Sequence, residues 1–109
     1  MIETFTAHVD TFTRDRLPPK EQWPDLIFTR PEFHYPERLN CASRLLDRHV
    51  AEGNGSRRCV LSPTQAWTYA ELLEKANRIA RVLIEDMAVV PGNRVLLRGP
   101  NTPMLAACW

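Results

Sequence analysis

The stretch T68-Y-A-E-L-L-E-K-A-N-R-I-A-R-V-L-I-E-D86 decides how the chain is read. Thr68 and Glu71 stand at capping-box spacing, the hydroxyl placed to accept from the Glu71 amide and the carboxylate to accept from the Thr68 amide. Behind that cap, Tyr69, Leu72, Leu73, Ala76, Ile79, Ala80 and Leu83 recur at helical intervals and form one apolar stripe. The other face carries Glu71/Lys75, Glu74/Arg78 and Arg81/Glu85 at i,i+4, where unlike charges stabilise a helix by about 0.2–0.5 kcal/mol per pair. Charges that alternate in sign along a solvated face make a helix surface, not a catalytic constellation. The spacing predicts an amphipathic helix that needs a body to lie on.

Downstream, Val90–Asn93 reads as a turn. Arg94–Gly99 contains the run Val95-Leu96-Leu97 expected of a strand covered on both faces. Gly99-Pro100-Asn101 is a loop, and Asn101 or Thr102 caps a new helix with Pro103 in its favoured first turn. Upstream, Cys59–Ser62 reads as a short strand, and Trp67 sits on its return partner. Before the hairpin, Asn40 caps a helix carrying Ala42, Leu45, Leu46, His49 and Val50, closed by Gly53 as its C′ residue. Strand, helix, strand and helix start define an α/β chain, the opening of a mostly parallel, helix-covered sheet.

Residues 1–39 differ. They hold five of the nine prolines (Pro18, Pro19, Pro24, Pro31, Pro36), set among Trp23, Leu26, Ile27, Phe28, Phe33 and Tyr35. Residues 7–17 predict a short helix that Pro18-Pro19 stops. The aromatic content is too high for disorder and predicts an extended arm anchored on a larger body, with an aromatic-lined ligand site as the alternative. The organisation expected is an arm over 1–39 and the first elements of an α/β domain over 40–109.

The 109 residues suffice for one small domain, and 44% hydrophobic with 25% charged residues is ordinary for a soluble globular chain. A formal charge of +1 and a pI near 7.8 argue against nucleic acid or anionic membrane as partner. Glu3 replaces the basic start of a secretory signal, and no apolar run approaches membrane length, so the cytoplasm is expected. Cys41, Cys59 and Cys108 are odd in number and unpaired in spacing, which suits reduced thiols rather than disulfides or zinc ligands. His8, His34 and His49 follow no metal-ligand pattern.

Motifs for chemistry are missing. There is no phosphate loop, nucleophile elbow or zinc-binding helix motif, and Ser43, Ser56 and Ser62 have no base partner in the pattern. Gly53-x-Gly55 has Arg58 where a dinucleotide fingerprint needs its third glycine. Gly99–Thr102 lies where a strand end meets a helix, the place where open α/β sheets bind ligands. It therefore marks an alternative, a small nucleotide-binding domain. A free-standing interaction module docking by its apolar edge is another.

Thr68-Tyr69-Ala70-Glu71-Leu72, Pro91-Gly92-Asn93-Arg94-Val95 and Asn101-Thr102-Pro103 together resemble the N-terminal part of the adenylate-forming acyl-CoA synthetases. "LPPKEQWPDL" and "YPERLNCASRLLD" look like the aryl-CoA ligase branch, in particular benzoate and 2-aminobenzoate–CoA ligases. Three places depart from the pattern. Ser56–Val60 replaces a frequent Asp-Arg-Pro-Ala-Val, Asn93 stands for aspartate, and Ala88 stands where a glycine commonly closes the long helix. If position 88 is left-handed, a non-glycine residue there costs on the order of 1 kcal/mol.

The resemblance implies an enzyme that uses Mg-ATP to turn a carboxylic acid, here an aromatic one, into an acyl-adenylate, then transfers the acyl group to coenzyme A. It also implies that the phosphate loop, the adenine and ribose motifs and the catalytic lysine lie beyond Trp109. No catalytic, cofactor-binding or metal residue is therefore assigned within these 109. The apolar run Met104–Trp109 has no polar face and no C-cap. On that reading the chain is a truncated N-terminal piece of a ligase, inactive alone and prone to self-association.

Overall fold

In the computed structural model, residues 7–109 are described; Glu3, on which the reading of the leader rested, lies outside them. The central element is helix α2 (Tyr69–Arg81), extended by a wider π-type turn over Val82–Asp86. An α-helix leaves its first amides without intrahelical acceptors, and here each finds a partner. The Thr68 amide donates to Glu71 Oε2 at 2.8 Å and the Glu71 amide to Thr68 Oγ1 at 3.3 Å, completing the capping box. Tyr69 N donates to the Arg57 carbonyl at 3.0 Å and Ala70 N to that of Gly55 at 2.9 Å. The start of α2 is thereby tied to the chain that precedes the hairpin.

That hairpin consists of β1 (Arg58–Leu61) and β2 (Ala66–Thr68), antiparallel, with Val60 opposite Trp67 and Leu61 opposite Ala66. The register slips between Arg58 and Val60, so Cys59 occupies a bulge. Ser62 closes the turn: its amide donates to the Gln65 carbonyl at 2.8 Å, and its Oγ accepts from the Gln65 amide at 3.0 Å. Residues 41–54 are helical, as expected from the pattern. Asn40 Oδ1 accepts from the Ser43 amide at 3.0 Å, and Gly53, at φ +84°, breaks the helical path one residue before the run's end. Much of the run is wound more loosely than the periodicity suggests, with π-type turns at Ser43–Asp47 and Val50–Asn54. His49 stacks on Tyr69, ring centroids 4.6 Å apart, which joins this stretch to α2.

Helix α3 (Pro103–Cys108) begins at Thr102, with proline in the first turn but no side-chain cap. It packs on α2, where Pro103 and Ala107 are buried. The α2 stripe faces α3, the hairpin and the 43–54 turns, yet Tyr69, Leu72, Leu73, Ala76, Ile79 and Leu83 are only half-buried and Ala80 is exposed.

Three expectations change. Arg94–Gly99 forms no strand, and among the described residues the sheet has two antiparallel strands and no parallel pair. A run such as Val95-Leu96-Leu97 is held as a parallel strand by neighbours on both sides. Without them Leu96 stays 92% exposed. Glu71 and Lys75 form no ion pair, because the carboxylate caps the helix and Lys75 Nζ lies 4.6 Å from the centre of the Trp67 ring. Glu74–Arg78 and Arg81–Glu85 do pair, on the exposed face. The short helix expected over 7–17 contracts to the single turn α1 (Phe12–Asp15).

The proline-rich segment has 3₁₀ turns at Lys20–Gln22 and Pro31–Phe33. Trp23 Nε1 donates to the Pro18 carbonyl at 2.7 Å, and Phe28 meets Phe33 and Tyr35 edge-on. Phe28, Phe33 and Tyr35 cluster with one another, and all four aromatics remain exposed. The radius of gyration is 17.2 Å, against about 13 Å for a compact domain of this length.

Ala88 has φ +52°, so the position where a glycine was expected is left-handed. Ala88→Gly relieves a strain of about 1–2 kcal/mol, partly offset by glycine's freedom in the unfolded chain. The Val89 amide, bonded to the Leu83 carbonyl at 2.9 Å, should then exchange with solvent about fivefold more slowly. Thr68→Ala removes the cap hydroxyl and should destabilise α2 by about 1 kcal/mol, read as lost helical ellipticity.

Candidate functional site

A wide depression joins the hairpin turn to the start of α3. Ser62, Pro63, Thr64 and Gln65 form one wall, Asn101, Thr102, Pro103 and Met104 the other, and Trp67 and Lys75 the floor. The hairpin's geometry places it: Ser62 pins the turn, Trp67 follows on β2, and Lys75 lies two turns into α2. The volume is about 590 Å³ and the mouth is wide. Of Gly99–Thr102, which the sequence offers only as an alternative ligand loop, Asn101 and Thr102 line this depression. The roles of Trp67, Lys75 and Ser62–Gln65 were not legible. The hint was a Trp and a Lys eight residues apart across a strand-to-helix junction.

The groove offers hydroxyls, amides and one ammonium, whose charge rests over the indole face. It holds no nucleophile beside a base. The residues present do not fit a triphosphate: Pro100 has no N–H to offer, and the Thr102 amide is taken by the Pro100 carbonyl at 2.8 Å. A phosphate cradle needs several amides converging on one point. Among the described residues no three His, Cys, Asp or Glu side chains converge on a metal position. All three cysteines are free thiols. Burial pushes the Cys59 thiol up, against a smaller opposing effect of the Val60 amide, away from thiolate reactivity.

A second polar cluster forms where the N-terminal segment meets the Val90–Arg94 turn. Val9 N and Asp10 N both donate to the Pro91 carbonyl, at 2.8 and 2.9 Å. The Asp10 carboxylate accepts from the Phe12 amide, Asn93 Nδ2 and Arg94 Nη1. These bonds hold its carboxyl below the usual value of 3.8, the Phe12 amide acting most strongly. No periodicity marks this pairing, because the partners lie 83 and 84 residues apart.

Residues 47–109 match the sequence profile of the AMP-binding enzymes, which is more than half of the chain. The chain belongs to that family. Benzoate–CoA ligase of Thauera aromatica is 32% identical over 69 residues, 63% of this chain and 13% of that ligase. Acetyl-coenzyme A synthetase of Deinococcus radiodurans is 38% identical over 74 residues, 63% of this chain and 11% of the synthetase. Surfactin synthase subunit 1 of Bacillus subtilis is 41% identical over 63 residues, 57% of this chain and 2% of that subunit. The chain thus spans about an eighth of the length of the ligase and less of the others. No solved structure gives a significant match. The matched region takes in the hairpin, α2, the 90–94 turn and α3, while residues 7–46 fall outside the profile.

Glu71 is held below its ordinary value of 4.5, first by the Thr68 amide and then by the Thr68 hydroxyl. A carboxylate whose folded pKa is depressed stabilises the fold above its unfolded pKa, and that contribution is lost as pH falls through the folded value. The helical ellipticity of α2 should therefore be flat above about pH 5 and decline below pH 4.5. In Glu71→Gln that decline should be smaller, measured by circular dichroism from pH 6 to pH 2.5.

Proposed function

We propose that these residues are the opening portion of the large domain of an ATP-dependent aryl- or acyl-CoA ligase, and that they do not catalyse the reaction by themselves. The supporting observation is the family match over 47–109, in a chain whose aligned part covers 13% of benzoate–CoA ligase. In the full enzyme, ATP and magnesium would activate a carboxylic acid as its adenylate, and coenzyme A would take the acyl group. No catalytic, cofactor or metal residue is assigned to positions 7–109.

An aromatic acid is the favoured substrate class. The similarity to benzoate–CoA ligase supports it, together with the "LPPKEQWPDL" and "YPERLNCASRLLD" segments. The similarity to acetyl-coenzyme A synthetase makes acetate the comparison substrate. The cytoplasm is the proposed location; among the described residues no helix is long and apolar enough to cross a membrane. Within the domain, residues 1–39 act as an arm, and the Val95–Leu97 run becomes a strand of a largely parallel sheet once its neighbours are present. Alone, the 109 residues self-associate through the same surface.

Carboxylate-dependent exchange of pyrophosphate into ATP tests the reading. The 109-residue chain should give background exchange with benzoate, 2-aminobenzoate and acetate. Turnover with any of the three would overturn the claim that it does not catalyse. Calorimetric titration with ATP should give no binding heat at millimolar concentration; a saturating isotherm would favour a nucleotide site at Asn101–Thr102.

A further inference from the structure

The geometry points to a latch. The Asp10 carboxylate fixes the N-terminal segment to the Val90–Arg94 turn, and the side-chain amide of Asn93 is the part that lets it close. This inference stands apart from the ligase reading, since it concerns only how two distant segments of this chain hold each other.

The turn presents three features to Asp10 at once. The Pro91 carbonyl accepts from two successive amides, Val9 and Asp10, a close approach of backbone to backbone. Gly92, at φ +96°, makes that approach possible, because a Cβ there would fall 2.1 Å from the Asp10 carbonyl oxygen. Asn93 then uses both ends of its amide. Its Oδ1 accepts from the Val90 amide at 2.9 Å, closing the turn, and its Nδ2 donates to Asp10 Oδ2 at 2.8 Å. Arg94 Nη1 reaches the same oxygen at 2.9 Å.

The arginine also lies over the Phe12 ring, 4.4 Å from its centre, and Arg16 lies over that ring at 3.7 Å. Phe12 is itself the residue whose amide donates to Asp10 Oδ1. One carboxylate therefore serves both to start α1 and to tie it to a turn far along the chain.

An amide at position 93 is the chemical requirement. An aspartate there could still accept from Val90, but it has no donor for Asp10 and would bring a second carboxylate against the first. Adding Asp10→Asn to that change restores a donor and an acceptor. The new amide at position 10 can cap Phe12 through its oxygen and donate through its nitrogen to the carboxylate now at position 93, with Arg94 kept as the cation.

Amide hydrogen exchange of Val9 and Asp10 in the 109-residue chain tests this, with the Glu71 amide as an internal gauge of α2. In the natural chain both amides should be protected relative to neighbouring loop amides. Asn93→Asp should speed their exchange roughly fivefold and leave Glu71 unchanged, and Asp10→Asn combined with Asn93→Asp should recover most of the protection. Gly92→Ala should open both amides. The latch is overturned if the natural chain shows no protection at Val9 and Asp10, or if Asn93→Asp is as protected as the natural chain. It is also overturned if the double exchange is no better than Asn93→Asp alone, including the case where both variants lose the Glu71 signal.

Discussion

Four amides in succession, Thr68 to Glu71, carry the joint on which the rest of the chain hangs. They lie where β2 becomes α2, and a helix start left unpaired there would cost more than the hairpin could return. Two of the four are satisfied within the capping box and two by the carbonyls of Arg57 and Gly55. The second pair fixes the direction in which the 41–54 helical stretch enters. The hairpin, that stretch and α2 are therefore one unit with a defined geometry. The apolar side of α2 is then presented in a fixed direction, with α3 packed on part of it.

The unit is incomplete as a core. The stripe that Tyr69 begins is half-buried along most of its length, and Ala107 is the buried apolar side chain beside Pro103. Leu96 at 92% and Trp109 at 93% exposure lie on surfaces that a stable isolated domain would cover. Burying a side chain of that size contributes about 1.5–3 kcal/mol, and a domain's whole margin is about 5–15 kcal/mol. On the proposed reading, the rest of a larger domain would cover these faces.

What could be read from the sequence was whatever local chemistry dictates. The Thr68/Glu71 box, the Asn40 cap, Gly53 as the break near the end of its helix and the proline start of α3 all follow from short-range pairing and appear as expected. Ala88 was legible too: a glycine position filled by alanine carries the left-handed φ that glycine would accept freely. The parallel strand at Arg94–Gly99 was inferred from a run of apolar residues, a signal that reports burial by neighbours rather than any local preference. The described chain holds no such neighbours. The groove over Trp67 and Lys75 and the Asp10–Asn93 contact depend on residues brought together by the fold. For the second of these, the departure of Asn93 from the expected aspartate was the single clue in the sequence.

As the proposed opening of a larger α/β domain, these residues lack the burial to fold as an independent one. Scanning calorimetry of the dilute 109-residue chain tests it most directly. The transition should be broad and weak, with an enthalpy far below the roughly 0.7 kcal/mol per residue of a cooperative domain. A sharp two-state transition of the monomer, with calorimetric and van't Hoff enthalpies in agreement, would contradict it.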